Sequence, residues 1–250
     1  EGDGAETGPW TLLTEKAHLS TEGSVNASGG FEWEGAEGQL AKGEILKVDK
    51  ASISMEGSPA SLRFAGLEWE AERLVFNRDK LSLEAGKGRM RSVDGGEVEL
   101  SYDGIQPVLG QDATVLALHR PRFVSEETEA RAEWALLWLN QGKGGAKRTA
   151  RGPAPSLFGQ TADKGFSSAL DEIYIEGHIE VVQAGVRRAE IEAVYLDLID
   201  GRGWLRRARI TIPAEVAGEP TELAVDAEWF RHSADGSLTA NSARITTCDH

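Results

Sequence analysis

A chain of 250 residues with 41 acidic and 27 basic side chains carries a formal charge of −14. That balance argues against nucleic acid, whose phosphates require Lys/Arg stripes, and against adhesion to an anionic membrane surface. The length is ample for a buried core, as one large all-β domain or two small ones, and no apolar run reaches the ~18 residues of a spanning helix.

The chain opens Glu1-Gly2-Asp3-Gly4, with neither Met nor an apolar signal segment, as expected of a processed or trimmed start. Short runs of alternating apolar and polar residues follow, such as Ala51-Ser52-Ile53-Ser54-Met55 and Leu81-Ser82-Leu83-Glu84-Ala85. A third, Ile173-Tyr174-Ile175-Glu176, continues past Gly177 to Ile179-Glu180-Val181. A period of two predicts strands with one dry and one wet face. Turn signals separate the runs at Asn77–Lys80, Asp94–Gly96, Asp200–Gly203 and Ala234–Gly236, which reads as an antiparallel meander.

Ser125-Glu126-Glu127 has the chemistry of a helix cap leading to Leu139. The alternation of Ala130, Ala132, Trp134, Leu136 and Trp138 favours a strand instead. The Gly-, Lys-, Arg- and Pro-rich stretch from Asn140 to Lys164 reads as a long exposed loop or a hinge. The organisation expected is therefore an N-terminal β half over 1–120, an irregular or hinge segment over 121–168 with a basic loop, and a C-terminal β half over 169–250.

A loose repeat runs through the chain. LEWEAERLVFNRDKLSLEAGKG from Leu67, ARAEWALLWLNQGKG from Ala130, RRAEIEAVYLDLIDGRGWLRRARI from Arg187 and VDAEWFRHSADGSLTANSARI from Val225 share an Ala-Glu step, an apolar strand, a polar turn and a return strand. GAEGQLAKGEILKVDKASISMEG from Gly35 is a looser copy. Hairpins that cannot bury a face alone must stack, and small Ala at the matching position lets layers approach. The product expected is a long twisted sheet folded over itself around an apolar interior.

Signatures of catalysis are not found. His18, His119, His178, His232 and His250 are far apart in sequence, with no metal-type spacing. There is no GxSxG elbow, and Gly142-Lys143-Gly144-Gly145 lacks the spacing and following hydroxyl of a phosphate loop. Trp33, Trp69, Trp134 and Trp229 each follow a Glu, which suits either strand core or a sugar-stacking platform. Basic clusters at Arg187-Arg188, at Arg206, Arg207 and Arg209, and at Lys143, Lys147, Arg148 and Arg151 are either solvated faces or a phosphate-contacting rim. No metal or cofactor is expected.

The segment IEGHIEVVQAGVRRAEIEAVYLDLIDGRGWLRRARI resembles the lipopolysaccharide-assembly, or organic-solvent-tolerance (OstA-like), family. ISMEGSPASLRFAGLEWEAERLVFNRDKLSLEAGKG from Ile53 is similar to that family's G-x-P-A strand and following hairpin, and the tail SARITTCDH from Ser242 looks like the junction between a periplasmic module and an outer-membrane barrel (LptD-like). The resemblance covers most of 35–110 and 170–250, and the middle departs from it. It implies an antiparallel β-jellyroll, a folded "taco", in the periplasm at the outer membrane, acting without catalysis. Lipopolysaccharide or lipid A would lie in a groove of Ile53, Met55, Leu81, Leu83, Ile173, Ile175, Ile179, Val181, Ile191, Ile210 and Ile212. Arg206, Arg207 and Arg209 are then the phosphate-rim candidates, and Cys248 would pair with a cysteine beyond His250. The partners implied are neighbouring jellyroll modules joined edge to edge in an LptA-like bridge and an outer-membrane lipoprotein, with the gene continuing into barrel strands. Two alternatives stay open: a carbohydrate-binding or carbohydrate-cleaving β protein using surface Trp, and a purely structural envelope module.

Overall fold

In a computed structural model, residues 11–21, 23–35, 39–64, 66–77, 82–93, 98–109, 114–125, 127–139, 169–216, 219–235 and 237–247 are described. They form one antiparallel sheet of nineteen strands. The N-terminal strands are β1 (Thr11–Leu19), β2 (Val25–Glu34), β3 (Leu40–Val48), β4 (Ser52–Phe64), β5 (Leu67–Asn77), β6 (Ser82–Ala85) and β7 (Gly88–Ser92). The middle ones are β8 (Glu99–Tyr102), β9 (Gly104–Leu109), β10 (Thr114–His119), β11 (Arg122–Val124), β12 (Thr128–Arg131) and β13 (Trp134–Leu139). The last are β14 (Leu170–Gln183), β15 (Val186–Asp197), β16 (Arg202–Val216), β17 (Glu219–His232), β18 (Leu238–Asn241) and β19 (Arg244–Thr247).

The all-β expectation holds, and the ambiguous stretch before Leu139 is strand. The part of the expected irregular segment that is described is a correction: β11, β12 and β13 pair with β8, β10 and β14, with one register shift between Trp138 and Leu139, so the sheet is continuous there. The Gly/Lys/Arg-rich stretch from Asn140 to Lys164 lies outside the described residues.

Each pass of the chain bends once, near its middle. The pairing shows it: β5 pairs with β6 through 74–77 and with β7 through 67–71. Likewise β14 pairs with β13 through 170–176 and with β12 through 180–183. Five passes are split at the bend into two strands (β6/β7, β8/β9, β10/β11, β12/β13, β18/β19), so nineteen strands make fourteen passes. The bends stack into a corner, and the sheet becomes two arms facing each other. The first arm holds the segments beside β6, β9, β10, β13 and β18. The second holds those beside β7, β8, β11, β12 and β19.

Local chemistry makes the corner. Gly29 and Gly30 sit at φ 83° and 95° where the β1–β2 and β2–β3 ladders skip. Gly177 at φ 87° and His178 at φ 45° form a bulge in β14; only glycine reaches such angles without a Cβ penalty. Three of the four Ala-Glu steps, Ala71-Glu72, Ala132-Glu133 and Ala227-Glu228, fall at the corner, where the arms converge and leave room for little more than a methyl group. In the fourth copy the corner comes later, at Glu192.

The core lies between the arms as a single cluster drawing on both. Trp69, Leu67 and Met90 of the second arm and Leu46, Met55, Leu74, Leu116 and Leu118 of the first are 0–1 % exposed. Each such side chain contributes about 1.5–3 kcal/mol relative to exposure.

Candidate functional site

The ladders place one inward apolar side chain from every pass in a single row. On the first arm it runs Ala17, Ala27, Leu46, Met55, Leu74, Ala85, Ile105, Leu118, Ala135, Ile175, Val194, Leu205, Phe230, Ala240. On the second it runs Leu12, Trp33, Ala41, Leu62, Trp69, Met90, Leu100, Phe123, Ala130, Val181, Ala189, Ile210, Val225, Ile245. At the usual strand spacing, fourteen passes span about 60 Å. Neither row contains a polar residue.

Most predicted groove residues lie in or beside these rows. Met55, Leu83, Ile175, Ile179, Val181 and Ile191 are 0–4 % exposed, and Ile53, Ile173 and Ile210 are half-buried against them. They pack on one another across a filled interior. Ile212 shares the face of Ile210 but is 42 % exposed, beyond the last β15–β16 pair, Ala189–Ile210. Leu81 and Cys248 lie outside the described residues.

Backbone bonds between turns stay within one arm: Val93 N–H donates to Gly66 and Ala184 N–H to Glu127 in the second, and Leu198 N–H donates to Asp171 in the first. Among the described residues, the ion pairs likewise stay within an arm or at the corner. Apolar contacts bridge the open side, among them the Phe64–Phe76 ring pair at 5.2 Å and the approach of Ala169 to Gly66.

The rows run out at both ends of the stack. Leu19 on β1 faces the interior side opposite Val25 yet is 69 % exposed. On the last pass, Leu238 and Ile245 do the same at 50 % and 64 %. Among the described residues the outer edges of β1, β18 and β19 have no strand partner.

The candidate phosphate rim is built differently from the expectation. Arg206 Nη2 lies 2.6 Å from Glu192 and 3.7 Å from Glu176, and Arg207 Nη1 lies 3.0 Å from Glu192. Arg209 Nε is 3.9 Å from Asp226. All three project outward near the corner and are already matched by carboxylates. A cavity of about 1070 Å³ borders this region, edged by Glu180, Arg187, Glu190, Arg209, Asp226 and Arg244. Arg187 and Arg188 are also paired, to Glu180 and Glu190 and to Glu222 respectively.

An aromatic group on the outer face of the first arm includes Trp134 and Trp229, which sequence reasoning offered as a stacking platform, and Trp204, Tyr195 and Tyr174, which it did not. Trp204 stacks on Tyr195 at 5.9 Å and meets Tyr174 and Trp229 edge-on at 6.0 and 5.3 Å. The Tyr195 hydroxyl donates to Glu172 and the Tyr174 hydroxyl to Glu176, at 2.9 and 3.0 Å. Burial first, then these carboxylates, push both phenols above their ordinary range, so they remain neutral donors. Trp134, against His119, is 44 % exposed on the same face. Trp69 is instead fully buried, and Trp33 half-buried.

The chain matches no protein-family model and no curated protein. Among the described residues no group of three or more His, Cys, Asp or Glu is placed to hold a metal ion.

Proposed function

We propose that the protein is a non-catalytic carrier of lipopolysaccharide-type lipid, with acyl chains held between the two arms, working in the periplasm at the outer membrane. The observation that carries this reading is the pair of unbroken apolar rows, one residue per pass, on arms that meet at the open side through apolar contacts such as the Phe64–Phe76 ring pair. Parting the arms costs no ladder hydrogen bond. Acyl methylenes entering the gap restore the burial that is lost, at roughly 0.8 kcal/mol each. A closed, filled interior in the lipid-free state fits a sheet that opens around its cargo.

The uncovered ends support a further part of the reading. Leu19 at one end and Leu238 and Ile245 at the other would be covered if like modules joined edge to edge, extending the apolar rows into a bridge. A purely structural module would share the fold but gains nothing from arms that separate.

Photo-crosslinking tests the reading, with the probe at half-buried, inward Ile173 and, as control, at outward Glu176. A lipopolysaccharide adduct from Ile173 alone is the expected result. Adducts from neither position, with the protein folded in the envelope, would remove the lipid path.

A further inference from the structure

We propose that the outer face of the first arm binds an anionic saccharide: a pyranose laid on Trp204 and Trp229, its carboxylate or phosphate held by Arg202 and Arg231. The inference is independent of the lipid reading, because it uses no interior residue.

A cavity of about 540 Å³ opens on this face, lined among others by Tyr195, Trp204, Trp229, Arg202, Arg231 and Asn241. The size and the mixture of aromatic walls with a few polar groups suit a small ligand. Its walls are fixed: the rings brace one another, and Glu172 and Glu176 anchor the tyrosines behind them. Trp229 leaves 41 % of its surface to solvent. An indole so held presents a flat apolar face with a polar edge, which matches the apolar face and hydroxyl rim of a sugar ring.

The charge of the ligand follows from the arginines. Among the described residues only Arg202, Arg231 and Arg244 lack a carboxylate partner, and two of those three line this one cavity. Asp197 stands opposite Arg202 in the ladder, but one of its oxygens accepts from the Ile199 and Asp200 N–H groups of the turn. In a chain of net charge −14, two free guanidinium groups beside exposed indoles form a local site for a carboxylate or phosphate. The same net charge repels long polyanions, which favours a sparsely charged sugar over nucleic acid.

The test is a titration of the full chain followed by the indole N–H cross-peaks of Trp204 and Trp229. Three probes are compared: digalacturonate, a deacylated bisphosphorylated glucosamine disaccharide, and maltose. An anionic probe is expected to move both cross-peaks and to bind at least about tenfold more tightly than maltose. The Arg202→Gln/Arg231→Gln double variant, changed only at exposed side chains, is expected to weaken that binding about tenfold and to remove its salt dependence. Trp229→Leu is expected to abolish it with the remaining cross-peaks unmoved. Tighter binding of digalacturonate identifies a short carboxylated sugar; tighter binding of the phosphorylated disaccharide identifies a glycolipid headgroup. The proposal is overturned if neither anionic probe moves the two cross-peaks, if maltose binds equally, or if the double variant binds as well as the parent.

Discussion

The rings of Phe64 and Phe76 meet across the open side of the folded sheet, centroids 5.2 Å apart and planes inclined by 53°. They lie on opposite arms: Phe64 pairs with Leu67 on the second, Phe76 with Ile53 and Leu83 on the first. A contact of this kind is worth about 0.5–1.5 kcal/mol beyond its buried area, and on the proposed reading it must break for acyl chains to enter between the arms.

Stapling that contact should therefore block loading. In a Cys248→Ser background, Phe64→Cys and Phe76→Cys joined by a short bismaleimide should lose at least about 90 % of lipid capture, a tenfold effect. The same double variant without the linker should retain it. Equal capture in the linked and unlinked forms would show that the arms do not part.

Inward and outward neighbours on β14 should differ in stability. Ile175, 2 % exposed, faces Ala135 and Val194 in the interior, and Ile175→Ala should cost about 2–4 kcal/mol. Exposed Glu176, which accepts from the Tyr174 hydroxyl, should cost under about 1 kcal/mol as Ala. Urea unfolding measures both, and similar losses would contradict the inward assignment.

The corner of β14 should not tolerate a side chain. Gly177 sits at φ +87°, and a Cβ there would lie 2.7 Å from the Glu133 Cβ. Gly177→Ala should destabilise by at least about 1–2 kcal/mol from backbone handedness alone. A shift of the unfolding midpoint too small to resolve would mean that the bulge relaxes freely.

Acid should loosen the β11–β12 hairpin. The hydrogen bond from Arg122, with Arg131 also adjacent, holds Glu129 down at about 2 from an ordinary 4.5. A depressed carboxylate stabilises the fold fully above pH 4.5, and that contribution is lost as pH falls from there through about 2. Solvent screening limits it to about 1 kcal/mol. Glu129→Gln should flatten stability against pH in that window. An unchanged acid slope would show that the Arg122 pair contributes nothing.

Self-association should depend on the uncovered row ends. Leu19→Lys and Ile245→Lys place charges where Leu19 and Ile245 are 69 % and 64 % exposed. If modules join edge to edge, each change should reduce concentration-dependent assembly in sedimentation while leaving monomer stability within about 0.5 kcal/mol. Assembly indifferent to both would place any interface elsewhere.

Alternation alone marked Met55, Leu83, Ile175, Ile179 and Val181 as one dry set, because a strand's side-chain period is two wherever the strand lies. It put Ile212 on the same face as Ile210 but did not give its 42 % exposure, since the period says which face a residue takes and not how far that face is covered. The Ala-Glu steps were visible as a repeat, but their place at the corner was not, because a bend is defined only when its neighbours bend beside it. In sequence, Arg206, Arg207 and Arg209 read as either a solvated face or a phosphate-contacting rim. Their neutralising partners, Glu176, Glu192 and Asp226, lie 14 to 30 residues away in the chain from the arginines they meet.

By itself the sequence determined the strand content, the meander and the apolar composition of the interior, since these follow from local period and turn chemistry. Tertiary structure decided the rest. Register across fourteen passes aligned the two apolar rows, brought Phe64 to Phe76, and set Tyr174, Tyr195, Trp204 and Trp229 together on the outer face. Register is a property of pairs of strands, fixed by the fit of one pleated surface on the next, and no single strand carries it.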